Sequence, residues 1–246
     1  MDKKKKFCLV GKGISYSLSP KIHRQIYDIL GANAEYVIED VGECEIPRVI
    51  AEYDGFNVTK PYKLAVRKYL DSAVESVNTV TKQDGKAIGF STDGDGFIRA
   101  LKKTGGDGYS HYAVVGSGGA ALAVINALKS MGKTPNVFAR NQVALEKICD
   151  MTACKKGENY SPQAVIYCAS GGEYLPFDTK NTEYLMDLRY DGSEISLDGA
   201  VSVNGLRMLV SQAVLSAEKF LSVNLDEKRI DEIVDIIYNS LCKYKK

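Results

Sequence analysis

Three polar side chains crowd one short stretch, Phe56-Asn57-Val58-Thr59-Lys60-Pro61-Tyr62-Lys63, where Asn57, Thr59 and Lys63 surround the end of a strand and the start of the next element. Asn57 and Thr59 bring an amide and a hydroxyl there. An amine beside them suits proton transfer to or from an oxygen. The spacing predicts a Pro-initiated helix over 61–69, with Lys63 near its positive dipole end, which together with desolvation lowers an ammonium pKa toward the range a general acid or base needs. Only His23 and His111 are present, so proton transfer falls to lysine, aspartate or tyrosine.

A second constellation is Tyr112-Ala113-Val114-Val115-Gly116-Ser117-Gly118-Gly119-Ala120-Ala121, followed by an apolar run to Leu128. It reads as a strand, a glycine turn and a helix. Gly116, Gly118 and Ala121 fill the G-x-G-x-x-A places of a dinucleotide fingerprint: the first makes the turn, the second admits a pyrophosphate, the third packs helix on strand. The opening N–H groups of the helix and its dipole then face an anion. In an NAD site an acidic residue follows roughly 20 residues on, to accept from the ribose 2′-hydroxyl. Here the next strand, Val137-Phe138-Ala139, ends in Arg140-Asn141. An arginine cannot accept that proton but pairs with a 2′-phosphate, which favours NADP.

These residues need elements to hold them. Phe7 to Val10 reads as a buried strand, and the loop to Pro20 leads into a helix to Leu30, with Ser19 as N-cap and Gly31 as its stop. A strand over 34–38, a helix over 45–53 and a strand over 55–59 follow. Residues 76–91 form a hairpin about Asp84-Gly85. Thr92-Asp93-Gly94 opens a helix to Lys103, and a glycine-rich link leads to the strand at Tyr112. Beyond it lie strands over 136–139, 164–168, 184–188 and 200–203, a helix over 141–149, and two apolar-periodic helices over 206–220 and 226–244. Strand and helix alternate in both halves, an α/β pattern. The domains expected are 1–103, 104–208, and 209–246 packing back on the first.

The 246 residues carry 32 basic and 31 acidic side chains for a net charge of +1, which argues against a nucleic-acid groove or an anionic membrane surface and for a small-molecule partner. The lysine run 3–6 and the lysine-rich end 243–246 read as tails. No signal-peptide core or membrane-length apolar span is present, and the six cysteines show no C-x-x-C and no metal-ligand spacing. The expectation is a cytoplasmic protein with reduced thiols and no metal.

In order, Ser17-Leu18-Ser19-Pro20, Asn57-Val58-Thr59-Lys60-Pro61-Tyr62-Lys63, Val77-Asn78-Thr79, Thr92-Asp93-Gly94, Gly116-Ser117-Gly118-Gly119-Ala120 and Gly205-Leu206-Arg207-Met208-Leu209-Val210-Ser211-Gln212-Ala213 resemble the motifs of shikimate dehydrogenases, over residues 8–220. The resemblance implies an N-terminal α/β substrate domain, a Rossmann-like NADP domain, and an active site in a cleft between them. It implies hydride transfer between NADP and the ring carbon of 3-dehydroshikimate or shikimate, in aromatic amino acid and chorismate biosynthesis. Lys63 and Asp93 become the acid/base pair, with Asp93 orienting the lysine and a substrate hydroxyl. Ser17 and Ser19, with Tyr190, take the carboxylate; Thr59, Asn78, Asp93 and Gln212 take ring hydroxyls. The cofactor contacts implied are Gly116, Ser117, Gly118, Gly119, Ala120, Arg140, Asn141, Ala169, Leu188, Gly205 and Met208, on a monomer or homodimer.

Structural alternatives stand beside these roles: Ser19 as a helix cap, Asp93 as another, Asn78 as a hairpin partner, Gln212 as a polar position on an apolar helix. The sequence also departs from the family's pattern. Ala144 stands where a further arginine is usual, Ser91 where asparagine is, Asn204 where aspartate is, and Cys168-Ala169-Ser170 where Asn-Ala-Thr is. Two readings therefore stay open: a quinate/shikimate dehydrogenase with relaxed or NAD cofactor use, and a nucleotide-sensing module without turnover.

Overall fold

A computed structural model describes residues 3–158 and 160–243. The chain divides into two compact units, one made of residues up to Thr92 with those from Leu209 onward, the other of Asp93–Met208.

The first unit holds a five-stranded sheet of order β2-β1-β3-β4-β5, with β1 Lys5–Gly11, β2 Ala34–Asp40, β3 Gly55–Val58, β4 Thr79–Gln83 and β5 Lys86–Phe90. β1 runs parallel to both β2 and β3, and β4 and β5 continue antiparallel. Central strands covered on both faces need continuous apolar runs, and Phe7, Cys8, Leu9 and Val10 supply one. Lys5 and Lys6 belong to β1, paired with Ala34 and Glu35, so that part of the expected tail is strand; Lys4 meets Glu35 at 2.8 Å. The β4–β5 turn uses Asp84 (φ 49°) and Gly85 (φ 77°), the backbone that a two-residue hairpin requires.

Helix α1 (Ser19–Leu30) lays Ile22, His23, Ile26 and Tyr27 on the sheet and ends at Gly31 in the left-handed region. Short α2 spans Ile46–Glu52. The last two helices, α6 (Leu206–Leu221) and α7 (Glu227–Lys243), belong to this unit from Leu209 onward; Tyr244 and the two lysines after it lie outside the described residues. Phe220 of α6 stacks on Phe7 at 4.7 Å, and a Cβ at Gly55 would meet Phe220 at 3.0 Å and the Val80 carbonyl at 2.8 Å. Glycine at 55 is what lets α6 lie this close.

His23 is fully buried and lies flat on Tyr36, ring centroids 4.0 Å apart. Burial pushes its pKa down to about 3, against a smaller opposing effect of the Asn57 amide. An unfolded chain takes up a proton near the ordinary 6.5 and the folded one does not. Stability from this site is therefore complete above about pH 6.5 and falls as pH drops toward 3, by roughly 1.4 kcal/mol per pH unit. Urea unfolding between pH 7 and 5 should show a steeper loss for the native chain than for His23→Phe. Parallel curves would place the titration elsewhere.

The second unit is a fully parallel six-stranded sheet of order β11-β10-β9-β6-β7-β8. Its strands are β6 Tyr112–Val115, β7 Asn136–Phe138, β8 Lys155–Lys156, β9 Ala164–Tyr167, β10 Tyr184–Asp187 and β11 Val201–Asn204. Numbered from β6, the order is 3-2-1-4-5-6, that of the dinucleotide-binding fold. Helices α3 (Asp93–Lys103), α4 (Gly119–Ser130) and α5 (Gln142–Thr152) accompany it. Phe97, Ala100 and Leu101 of α3 join the core made with Tyr112, Ile125 and Leu128. That apolar face moves the boundary from the expected 103/104 to 92/93.

On the other face, the connections 168–183 and 188–200 carry no helix. Tyr174, Leu175, Phe177, Ile195 and Leu197 cover Val115, Phe138, Val165, Tyr167 and Leu185 in its place. Among the described residues no helix is long and apolar enough to cross a membrane.

Candidate active site

In the first unit, the candidate residues gather where β1 and β3 end. Asp40 accepts the Gly13 and Ile14 amides at 2.9 Å each, which fixes the loop before α1 and holds the Asp40 carboxyl below its ordinary range. At the helix entrance, Ser17 Oγ donates to Ser19 Oγ (3.1 Å) and accepts from the Ser19 amide (3.2 Å). The cap expected of Ser19 is corrected: α1 begins at Ser19, and Leu18 precedes it without a side-chain cap. The two hydroxyls sit side by side, as a paired anion contact needs.

The segment after β3 is held by backbone bonds on every side. Thr59 N donates to Val10 O (2.9 Å), Lys12 N to Lys60 O (3.1 Å), and Val77 N to Lys63 O (2.9 Å). A Cβ at Gly11 would stand 2.7 Å from Thr59 Cγ2 and 2.8 Å from Lys60 O, so glycine there lets the segment close against β1. Tyr62 is buried, its hydroxyl donating to Val41 O at 2.9 Å. The α-helix expected over 61–69 is absent; a 3-10 helix spans Ala65–Tyr69. The Lys63 carbonyl, which an α-helix would offer to Arg67 N–H, is taken by Val77. Half-buried Lys63 thus stands in a turn and not in the first turn of an α-helix.

Beneath this segment lies a buried polar network largely invisible in the sequence. Asn57 Nδ2 donates to Asn78 O (2.9 Å), Thr79 Oγ1 (3.2 Å) and Ser216 Oγ (3.0 Å), while its oxygen accepts from Tyr36 OH (2.8 Å). Asn78 Nδ2 donates to Thr92 Oγ1 (2.9 Å) and to Gln212 Oε1 (3.0 Å), and its oxygen takes Thr92 N (2.8 Å). Asn78 and Gln212, 134 residues apart, are thereby brought together. Thr92 and Ser216 were missed as members. Ser216 sits one turn after Gln212, and that i, i+4 polar pair on an apolar helix was the available signal. Thr92 is held there by both its amide and its hydroxyl.

In the second unit, Asp93 is 4% exposed and opens α3, where a carboxylate is favoured by the helix end. The glycine loop follows β6. Gly116 has φ 139°, and a Cβ there would press on Cys168 and the Ala169 amide at 3.1–3.2 Å. Gly118 precedes α4, and a Cβ on it would meet nothing within 4 Å, so a ligand has room to reach its backbone. Ala121 is fully buried, the third small position of the fingerprint.

A groove of about 300 Å³ opens here, lined among others by Gly116, Gly118, Arg140, Ala169 and Tyr174. It lies past the carboxyl ends of β6 and β9, the switch point of the sheet order, where open α/β sheets bind ligands. Arg140 donates to Gly172 O. Asn141 caps α5 by accepting Ala144 N at 3.0 Å. Gly205 lies against the Leu188 backbone, and Met208, 7% exposed, fills the core. Tyr190, half-buried, follows two residues after Leu188.

Residues 9–80 match the family model described as the shikimate dehydrogenase substrate binding domain. The chain is 30% identical over 268 residues to the shikimate dehydrogenase (NADP(+)) of Shouchella clausii, covering 94% of this chain and 98% of that one. This chain belongs to the shikimate dehydrogenase family. Among solved members, the chorismate mutase/shikimate 5-dehydrogenase fusion protein of Clostridium acetobutylicum is 29% identical with a TM-score of 0.82, covering 97% of this chain and 99% of that one. The shikimate 5-dehydrogenase of Listeria monocytogenes, solved with shikimate and NAD, is 26% identical with a TM-score of 0.76, covering 95% and 96%. A shikimate dehydrogenase fold thus spans nearly the whole chain, both units included.

Proposed function

We propose that the protein is an NADP-dependent shikimate dehydrogenase that reversibly reduces 3-dehydroshikimate to shikimate in the cytoplasmic route to chorismate and the aromatic amino acids, as a monomer or homodimer. The observation that carries this is kinship over 94% of the chain to NADP-named relatives, combined with a groove at the switch point of the sheet that Arg140 lines. The groove fits the cofactor: Gly116 leaves no space for a side chain, Gly118 leaves open space for a pyrophosphate, and α4 opens behind them. Bound NADPH supplies the hydride that the ring carbonyl carbon receives.

The chain's own groups do the rest. Lys63 gives its proton to the carbonyl oxygen during reduction and takes it back during oxidation, and Asp93 orients the lysine and the adjoining hydroxyl. The paired hydroxyls of Ser17 and Ser19, with Tyr190, receive the carboxylate. Thr59, Asn78 and Gln212 face ring hydroxyls, the last two held in place by the network under them. A site built on such donors rejects analogues that lack the hydroxyls.

Incubation of the purified protein with 3-dehydroshikimate and NADPH should yield shikimate, identified by chromatography. Cofactor oxidation without shikimate would overturn the substrate. A second reading, broader quinate/shikimate activity with NAD, is favoured by Ala144 in place of a second arginine and by the NAD in the Listeria relative. Serine at both 17 and 19 favours shikimate over quinate, whose extra hydroxyl adjoins the carboxylate. Arg140→Ala decides the cofactor side: the KM for NADP should rise far more than that for NAD, since a charge-assisted contact contributes about 1.5–3 kcal/mol, or roughly tenfold or more. Equal rises would remove Arg140 from 2′-phosphate recognition.

A further inference from the structure

Arg140 does not extend alone from the end of β7. Its guanidinium carbon lies 5.6 Å from the centroid of the Tyr174 ring, and it donates to Gly172 O. The loop it grips is itself fastened from below. Arg189, locked on buried Asp187 by contacts of 2.5–3.1 Å, donates to Gly171 O at 3.1 Å, and Tyr167 OH donates to Gly172 O at 2.9 Å. A Cβ at Gly171 would come within 3.3 Å of Arg140 Nη1, so the loop passes tight along the guanidinium. Tyr174 packs against the core cluster that includes Phe138 and also lines the groove with Gly116, Gly118 and Arg140.

We propose that Tyr174 is a positioning residue for cofactor choice, its ring and the Gly171-Gly172 loop holding the Arg140 guanidinium at the ribose end of the groove for a 2′-phosphate. The inference rests on the NADP reading above and adds a residue to it. With Ala144 leaving a single arginine after β7, a long mobile side chain would lose rotamer freedom on meeting the phosphate. A guanidinium already seated on an aromatic face has lost part of that freedom beforehand. The ring acts through Arg140, so its removal affects the phosphorylated dinucleotide selectively.

Calorimetric titration of the full chain with NADP+ and with NAD+ tests this without turnover. Tyr174→Leu keeps apolar bulk against the core cluster and removes the π face; it should weaken NADP+ about two- to fivefold, the scale of an exposed cation–π contact, and leave NAD+ unchanged. Tyr174→Phe should bind both as the native chain does. In an Arg140→Ala background, Tyr174→Leu should have no further effect on NADP+. Equal weakening of both dinucleotides, or no change in either, overturns the positioning role. A native chain that binds no NADP+ overturns the cofactor reading itself, which separates that failure from this one.

Discussion

Replacing Lys63 by alanine is expected to lower kcat about 10²- to 10⁴-fold, the usual contribution of a general acid or base, with little change in the KM for shikimate. The structure places this lysine in a turn whose backbone is fastened through the Lys63 carbonyl and the bonds of Thr59 and Lys60, so the side chain can be truncated without loosening the segment. Its neighbour Tyr62 supplies a buried anchor. Steady-state rates in both directions check the claim, with Lys63→Arg as a companion: a permanently charged group restores position without restoring proton transfer. A KM rise at constant kcat would make Lys63 a binding residue. Unchanged kinetics would remove it from the mechanism.

The second large effect concerns Gly205. A Cβ at this position would lie 2.1 Å from Leu188 O, 2.5 Å from its carbonyl carbon and 2.7 Å from its Cα, all backbone atoms that no rotamer change can move aside. The Gly205 amide also donates to Arg189 O at 3.0 Å, tying the start of α6 to the end of β10. Gly205→Ala should therefore lower stability by roughly 3 kcal/mol or more, a shift in Tm of about 6–12 °C. Gly108→Ala, where nothing lies within 4 Å, should stay within about 0.5 kcal/mol of the native chain in the same melt. A fully stable Gly205→Ala that merely loses NADP affinity would contradict the packing account and leave Gly205 as a cofactor contact alone.

The glycine fingerprint and the alternation of apolar runs were legible because each depends on local spacing. Gly116 has the positive φ that its place in the pattern demands, and Asp84-Gly85 turns as the hairpin rule requires. The 61–69 segment was misread because a long-range bond to Val77 takes the carbonyl that local helix periodicity would use. β8 is only Lys155–Lys156, with no apolar run to announce it. The boundary moved because α3 carries Phe97 and Leu101 into the second core, a choice of partner that its own periodicity cannot specify. The candidate site could be proposed from motifs, and the network under it could not. Asn57, Asn78, Thr79, Thr92 and Ser216 meet across strands, a helix start and a distant helix, at separations no local pattern records.

The most direct test of the central claim is the absorbance of reduced nicotinamide, followed with shikimate and with quinate, each offered NADP+ and NAD+. Turnover concentrated in the shikimate and NADP+ combination is the result expected from paired Ser17 and Ser19 and from Arg140 in its groove. Equal or faster turnover with quinate or NAD+ would contradict the assigned specificity, and silence in all four combinations, with dinucleotide still bound, would contradict catalysis itself.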